Sequence, residues 1–168
     1  MLSDLIEGEE HLVGAGILAT SLLGDPRATL AGRPRLDHVA WGIAGACGTL
    51  AISLLYALVL GLRLDWEWQA PAPTVVLGLA VLPAVVEEWL CRGVLWAACR
   101  RLTTTGSTIV ITAVLFGLMH VLAWGPFGFP SRALGGLVLG LLRARTNSLV
   151  PCLLAHLLNN TAAACIES

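Results

Sequence analysis

Lysine is absent from this chain. All ten basic residues are arginine, and eleven acidic residues bring the formal net charge to −1 at pH 7. Proteins that bind nucleic acids carry a basic surface that neutralises phosphate groups. Because this composition cannot supply such a surface, the sequence excludes a nucleic-acid partner.

Charged residues of either sign are scarce. They make up 12% of the chain, whereas hydrophobic residues make up 57%, and the mean hydropathy is +0.81. An average soluble domain has about 25% charged residues. The composition therefore predicts a membrane protein whose first partner is the lipid bilayer.

The five cysteines form no C-x-x-C pair, and every one of them lies in an apolar stretch. Cysteine in such surroundings behaves as a small hydrophobic residue. The sequence therefore indicates neither a disulfide framework nor a cysteine metal site.

The N-terminus, MLSDLIEGEEHLVG, does not have the features of a secretory signal. It carries acidic residues where a signal carries basic ones, and no A-x-A cleavage site follows at a suitable distance. We expect the first hydrophobic segment to be retained.

Apolar runs near membrane-spanning length, about 17 to 25 residues, lie between charged or Pro/Gly-rich breaks. The six candidate spans are residues 11–24, 39–62, 74–99, 107–124, 131–142 and 147–165. Two of them, 11–24 and 131–142, are short, and re-entrant or interfacial segments are the alternative for both. The sequence thus predicts an all-α polytopic membrane helix bundle of about six transmembrane segments, formed by a single domain over residues 1–168.

The arginines predict the orientation of this bundle, because cytoplasmic loops are enriched in basic residues. With the N-terminus outside, seven arginines fall in inner loops and two in outer loops. The inner set is Arg27, Arg33, Arg35, Arg100, Arg101, Arg143 and Arg145, and the outer set is Arg63 and Arg132. We therefore expect a multi-pass protein of the cell (inner) membrane with both termini extracytoplasmic.

Five ionisable residues lie well inside the apolar spans, where a charge costs about 2.5 to 3.5 kcal/mol at a helix centre. They are Glu87, Glu88, Arg92, His120 and His156, and the amides of Asn159 and Asn160 accompany them. Counted from the inner ends of their spans, Glu87, His120 and Asn160 each lie 13 residues in, which corresponds to roughly 20 Å of helix. The matched depth predicts one shared polar site.

Helical spacing separates the two adjacent glutamates. Glu88 and Arg92 are four residues apart and can form an ion pair on one helix face. Glu87 is turned about 100° from its neighbour, so the helical spacing predicts no cation for it on its own helix. A buried carboxylate in this position is suited to general-base catalysis.

Three motifs carry a resemblance to a known family. E-E-x-x-x-R from Glu87 to Arg92, F-x-x-x-H from Phe116 to His120 and H-x-x-x-N from His156 to Asn160 occur in this order on three hydrophobic helices. They resemble the motifs of the CPBP family of intramembrane proteases, which includes the type II CAAX prenyl endopeptidases and bacteriocin-processing proteins. The motif core covers residues 74–165.

The resemblance implies an intramembrane endopeptidase of the glutamic type that acts on a membrane-anchored or C-terminal-tail protein substrate. Glu87 would activate water, His120 would help to hold that water, and His156 with Asn160 would stabilise the oxyanion. Glu88 and Arg92 would support the base. We prefer Asn160 to its neighbour Asn159 because of the i,i+4 spacing from His156 and the family motif.

The short chain, rich in Ala, Leu, Gly and Arg, is also similar to small members of the family, the myxosortases, which are proposed to trim C-terminal sorting tails.

Other mechanisms leave no motif in this sequence. It contains no G-x-S-G, no H-E-x-x-H and no G-x-G-D, which excludes rhomboid-like serine, site-2 zinc and intramembrane aspartyl proteases. Zinc held by Glu87, His120 and His156 is a chemical alternative, but we expect no cofactor, since the resemblance is to a glutamic-type family. From another class, a transporter, proton relay or scaffold could use the same buried residues.

Overall fold

The computed structural model describes residues 36–61, 72, 74 and 76–165. Every regular element within these residues is helical, which confirms the predicted all-α class. The α-helices are α1 (Leu36–Val59), α2 (Leu82–Glu88), α3 (Trp96–Leu102), α4 (Thr105–Trp124), α5 (Phe129–Thr146) and α6 (Val150–Ala164). A single 3-10 turn, Pro126–Gly128, joins α4 to α5.

Two π-helical segments flank α2. Val76–Val81 precedes it, and Trp89–Leu95 follows it and connects it to α3. Residues 76–102 therefore follow one continuous helical path, which we call the glutamate helix because it carries Glu87 and Glu88. Wide π turns inside a helix often occur at functional sites. Here the second π segment contains Arg92 and Gly93, one turn after the glutamates.

Five of the six predicted spans correspond to helices in the structure. They match α1, the glutamate helix, α4, α5 and α6, and α5 is longer than its predicted span 131–142. The remaining span, 11–24, and four of the arginines used to predict the orientation (Arg27, Arg33, Arg35 and Arg63) lie outside the described residues. By length and composition, Leu36–Val59 and Thr105–Ala123 are apolar enough to cross a membrane. The count of six spans stays a prediction.

The polarity of the bundle is the reverse of that of a soluble protein. Glu88, Arg92 and Arg143 are buried at 1%, 0% and 2% exposure, while leucines project outward from several helices. These exposed leucines include Leu55, Leu58, Leu118 and Leu141. Soluble proteins turn their charged residues to water and almost never bury them. Membrane proteins place the charged residues of their spans in the bundle interior.

Small residues allow the helices to approach closely. A Cβ atom added at Gly136 would lie 3.0 Å from the Cα atom of Ala113 in α4, and one added at Gly140 would lie 3.1 Å from a methyl carbon of Ile109. Gly136 and Gly140 thus form a small-x-x-x-small pair at a close helix contact. The contact joins α5 to α4, while α1 packs on α5 and α6, and the glutamate helix packs on α4 and α6.

The five described arginines that were predicted to lie in loops belong to helices instead. Arg100 and Arg101 are in the last turn of α3, and Arg132, Arg143 and Arg145 belong to α5. Among these five, Arg143 is the buried one. Arg143 was predicted to lie in an inner loop, but it belongs to α5 and is buried. Its Nε donates a hydrogen bond of 2.9 Å to the main-chain carbonyl of Arg92. The prediction was wrong because α5 continues to Thr146, past the end of the apolar run, and another helix supplies a partner for the charge.

Candidate active site

Glu87, His120 and His156 come together where the glutamate helix, α4 and α6 meet. The Oε2 atom of Glu87 lies 3.5 Å from Nε2 of His120 and 3.8 Å from Nε2 of His156. The side chains of Glu87 and His120 are 13% and 12% exposed, so they are enclosed but not sealed. The structure therefore brings together three of the residues that the sequence placed in one site.

Glu88 connects Arg92 to His156. Its Oε1 atom accepts a hydrogen bond of 3.0 Å from Nη1 of Arg92 and another of 2.9 Å from Nδ1 of His156. The first is the predicted ion pair, while the second joins two helices and was not predicted. A carboxylate only accepts, so Nδ1 of His156 carries the proton and Nε2 is turned toward Glu87.

Arg92 holds the site to α5. Its Nη2 atom donates a hydrogen bond of 2.9 Å to the carbonyl of Gly136, and its guanidinium carbon lies 4.5 Å from the ring centre of Phe116. Arg143 of α5 donates back to the Arg92 carbonyl. Each of the two helices thus donates an arginine hydrogen bond to a main-chain carbonyl of the other. Water in the bundle interior is not available to bond these groups.

Phe116, the first residue of the second motif, packs between the two histidines. Its ring centre is 4.6 Å from that of His120 and 5.6 Å from that of His156. Its carbonyl lies 2.8 Å from Nδ1 of His120 and accepts a hydrogen bond from it. As with His156, the proton is fixed on Nδ1, and Nε2 of His120 faces the Glu87 carboxylate.

Asn160 lies one turn beyond His156, and its amide is directed at the glutamate helix. Its Nδ2 atom donates a long hydrogen bond of 3.5 Å to the carbonyl of Ala80. The structure thus places the Asn160 amide against the backbone of the glutamate helix at Ala80, seven residues before Glu87.

A small open cavity of about 30 Å³ adjoins His156. Its walls come from α1, α4, α5 and α6, and its polar lining residues are Thr49, Ser53, Ser131, Arg132, His156 and Asn159. The Oδ1 atom of Asn159 is buried and makes no hydrogen bond within the described part of the chain. The sequence had ranked Asn159 below Asn160. Its i,i+3 spacing from His156 was the one signal that could have raised it.

Glu87, His120 and His156 have the donor types of a catalytic zinc site. Both imidazoles also have the acceptor on Nδ1 that metal-binding histidines usually have. Among the residues that the structure describes, however, no group of three or more His, Cys, Asp or Glu side chains has the arrangement needed to hold a metal ion. We therefore derive no catalytic step through a metal.

The fold and this cluster together define an all-helical membrane protein with a buried carboxylate–histidine centre. The family model described as type II CAAX prenyl endopeptidase Rce1-like matches residues 68–162. This is 95 of the 168 residues and includes all three motifs. The chain belongs to this family, which confirms the resemblance to the CPBP proteases and indicates a membrane-embedded protease. No curated protein and no solved structure shows a significant match.

Proposed function

We propose that this protein is an intramembrane endopeptidase that uses Glu87 as the general base for water. The observation that carries the proposal is the approach of one Glu87 oxygen to the Nε2 atoms of both histidines. A base must reach the water that it activates, and this group of three atoms can hold one water molecule by hydrogen bonds.

In the first step, the water donates one hydrogen bond to Oε2 of Glu87 and the other to Nε2 of His120. The water oxygen then attacks the substrate carbonyl carbon while one of its protons moves to Glu87. The electron pair of the carbonyl bond moves to oxygen and forms the oxyanion. When the carbon–nitrogen bond breaks, the proton held by Glu87 passes to the leaving amine.

We assign stabilisation of the oxyanion to His156, with Asn160 as a second donor. In its doubly protonated form, His156 donates to Glu88 from Nδ1 and to the oxyanion from Nε2. The Glu88 carboxylate then stabilises the imidazolium, as the acidic member of a catalytic triad does. With Arg92 and Glu87 included, the four charges sum to zero, which reduces the cost of placing them in a poorly solvated interior.

The finer parts of the proposal concern the surroundings of this site. We propose that the domain covers residues 1–168, that it spans the cell inner membrane about six times with both termini outside, and that it acts without a metal. Its substrate would be a membrane-anchored protein or a C-terminal tail, in line with a myxosortase-like member. Activity that is lost on chelation and restored by zinc would contradict the metal-free part.

Glu87→Gln tests the proposal, because it keeps the size of the side chain and removes the base. Val85→Ala is the matched control, since Val85 lies on the same helix and is 44% exposed. The termini of all membrane proteins are compared in cells with the native chain and with each variant. We expect cleavage products to disappear in Glu87→Gln and to persist in Val85→Ala, while both variants insert normally.

Unchanged products with Glu87→Gln would remove the protease assignment. If proton flux changed instead, the proton-relay alternative would replace it.

A further inference from the structure

We infer that Arg143 is a positioning residue for the site at Glu87 and that it acts through the main-chain carbonyl of Arg92. This inference rests on the proposed protease function. Arg143 belongs to none of the three motifs, and its helix, α5, carries no member of the proposed catalytic group.

The burial of Arg143 is the first observation. The residue is 2% exposed, and its hydrogen bonds go to oxygen atoms of uncharged groups. Its Nε donates to the carbonyl of Arg92 at 2.9 Å, and its Nη1 donates to Oδ1 of Asn147 at 3.4 Å. Burying a charge is costly, and an apolar side chain would fill the same space without that cost. The position therefore indicates a need for the donor.

The carbonyl that receives this bond lies in the wide π turn Trp89–Leu95. In an α-helix the N–H of Trp96 would donate to the carbonyl of Arg92, because each N–H bonds to the residue four positions before it. Here the Trp96 N–H bonds to the carbonyls of Cys91 and Gly93 instead. Arg143 supplies a donor to the carbonyl that loses this bond, and it thereby stabilises the backbone from which the Arg92 side chain extends.

Helix α5 holds Arg92 at two points. The carbonyl of Gly136 accepts from the guanidinium of Arg92, and Arg143 donates to the Arg92 main chain. Gly136 and Arg143 are seven residues apart, so they lie on the same face of α5, separated by roughly 10 Å of helix. Because one contact fixes the side chain and the other fixes the backbone, together they limit both sliding and rotation of the glutamate helix against α5.

Arg92 passes this position on to the proposed catalytic group. Its Nη1 binds Oε1 of Glu88, and the same oxygen accepts the Nδ1 proton of His156. A shift of the Arg92 backbone therefore moves Glu88, weakens its bond to His156 and displaces the neighbouring Glu87. A misplacement of about 1 Å can lower the rate of a catalysed reaction by roughly 10²-fold.

Two substitutions of similar length isolate the donor. Arg143→Gln places an amide nitrogen where Nε now lies, whereas Arg143→Met places a methyl group there, and both remove the charge. The assay uses the full chain in detergent micelles and a quenched fluorescent peptide that spans the cleavage site found in the comparison of termini. We expect Arg143→Met to lower kcat about tenfold with KM unchanged, since Arg143 does not touch the substrate. Arg143→Gln should keep the native kcat.

Gly140→Ala is the matched control for a loss of stability alone. It lies on the same helix, and the atoms nearest to its added Cβ all belong to Ile109 of α4, the closest at 3.1 Å. All rates are measured well below the unfolding temperature of each variant, so that only folded protein is compared. We expect Gly140→Ala to lose thermal stability and to keep the native kcat.

A second measurement does not depend on proteolysis. In protein with isotope-labelled histidine, the NMR resonance of the Nδ1 proton of His156 reports its bond to Glu88. The resonance is assigned by its loss in His156→Gln. We expect it to move upfield in Arg143→Met, because the bond weakens, and to stay in place in Arg143→Gln and Gly140→Ala.

If Arg143→Met does not fold, Arg143→Asn takes its place, because its amide is one bond too short to reach the position of Nε. A native kcat with an unmoved His156 resonance would overturn the inference. An equal loss of kcat in Arg143→Gln would assign the effect to the charge, and an equal loss in Gly140→Ala would assign it to stability, so either would also overturn it. The proposed function is tested separately by Glu87→Gln. If that variant stays active, the protease mechanism fails, while the resonance still decides whether Arg143 positions His156.

Discussion

The two sides of His156 differ in kind. On one side, Glu88 and Arg92 are buried and joined by a hydrogen bond of 3.0 Å, and Arg92 also donates to the carbonyl of Gly136. On the other side lies a small open cavity of about 30 Å³, lined by hydroxyl groups of α1 and α5 and by Asn159. We infer that the charged side contributes more to the stability of the bundle than the less closely packed cavity side does.

The largest effect should come from Arg92→Leu. This change leaves the Glu88 carboxylate buried without its cation, and breaking a buried pair in this way typically costs about 3 to 5 kcal/mol. We expect thermal unfolding in detergent to show a strongly destabilised protein. Arg145→Leu is the control, because Arg145 is exposed and its guanidinium carbon lies 4.5 Å from the Trp41 ring centre. Equal stability of the two variants would contradict the importance of the charged side.

Glu88→Gln separates folding from chemistry on the same side. The amide oxygen can still accept from Arg92, so stability should fall less than in Arg92→Leu. The imidazolium form of His156, however, loses its negative partner. We expect kcat to fall by about 10²-fold or more, as is usual when a proton-handling group is disabled. Activity close to that of the native chain would leave Glu88 with a purely structural role.

The features of the site that the sequence could predict depend on residue spacings along individual helices. The Glu88–Arg92 pair follows from a four-residue spacing, and the meeting of Glu87 with His120 follows from equal depth in two spans. The bond between Glu88 and His156 depends on how α6 is rotated about its axis, which periodicity does not specify. The same rotation turns Asn159 to the cavity and Asn160 to Ala80.

The fold divides in the same way. The apolar runs located the described helices, because length and hydropathy are local properties of the chain. Arg143 was misplaced because its partner, the carbonyl of Arg92, lies 51 residues away. Tertiary partners of this kind override the preference of a basic residue for a loop.

Two adjacent glycines of α5 lie on the two sides of His156. The carbonyl of Gly136 accepts a hydrogen bond from Arg92, and a Cβ atom added at Gly136 would lie 3.0 Å from the Cα atom of Ala113. Gly135 lines the cavity. We expect Gly136→Ala to lower the free energy of unfolding by about 1 to 3 kcal/mol, the usual cost of overpacking. Gly135→Ala should be near neutral. Equal losses of stability would show that the cavity side is as closely packed as the charged side.

The smallest effect should come from Tyr56→Phe, near the cavity. Tyr56 lies one turn beyond Ser53 of the cavity wall, and its hydroxyl donates a hydrogen bond of 2.6 Å to the carbonyl of Phe127 in the turn between α4 and α5. Such a bond contributes about 0.5 to 1.5 kcal/mol, and its exposed position favours the lower value. We expect a slight loss of thermal stability and an unchanged kcat, because the bond is exposed and joins α1 to the turn rather than to the Glu87 site. A fall in kcat would instead show that this turn supports the Glu87 site and that the two sides of His156 are mechanically coupled.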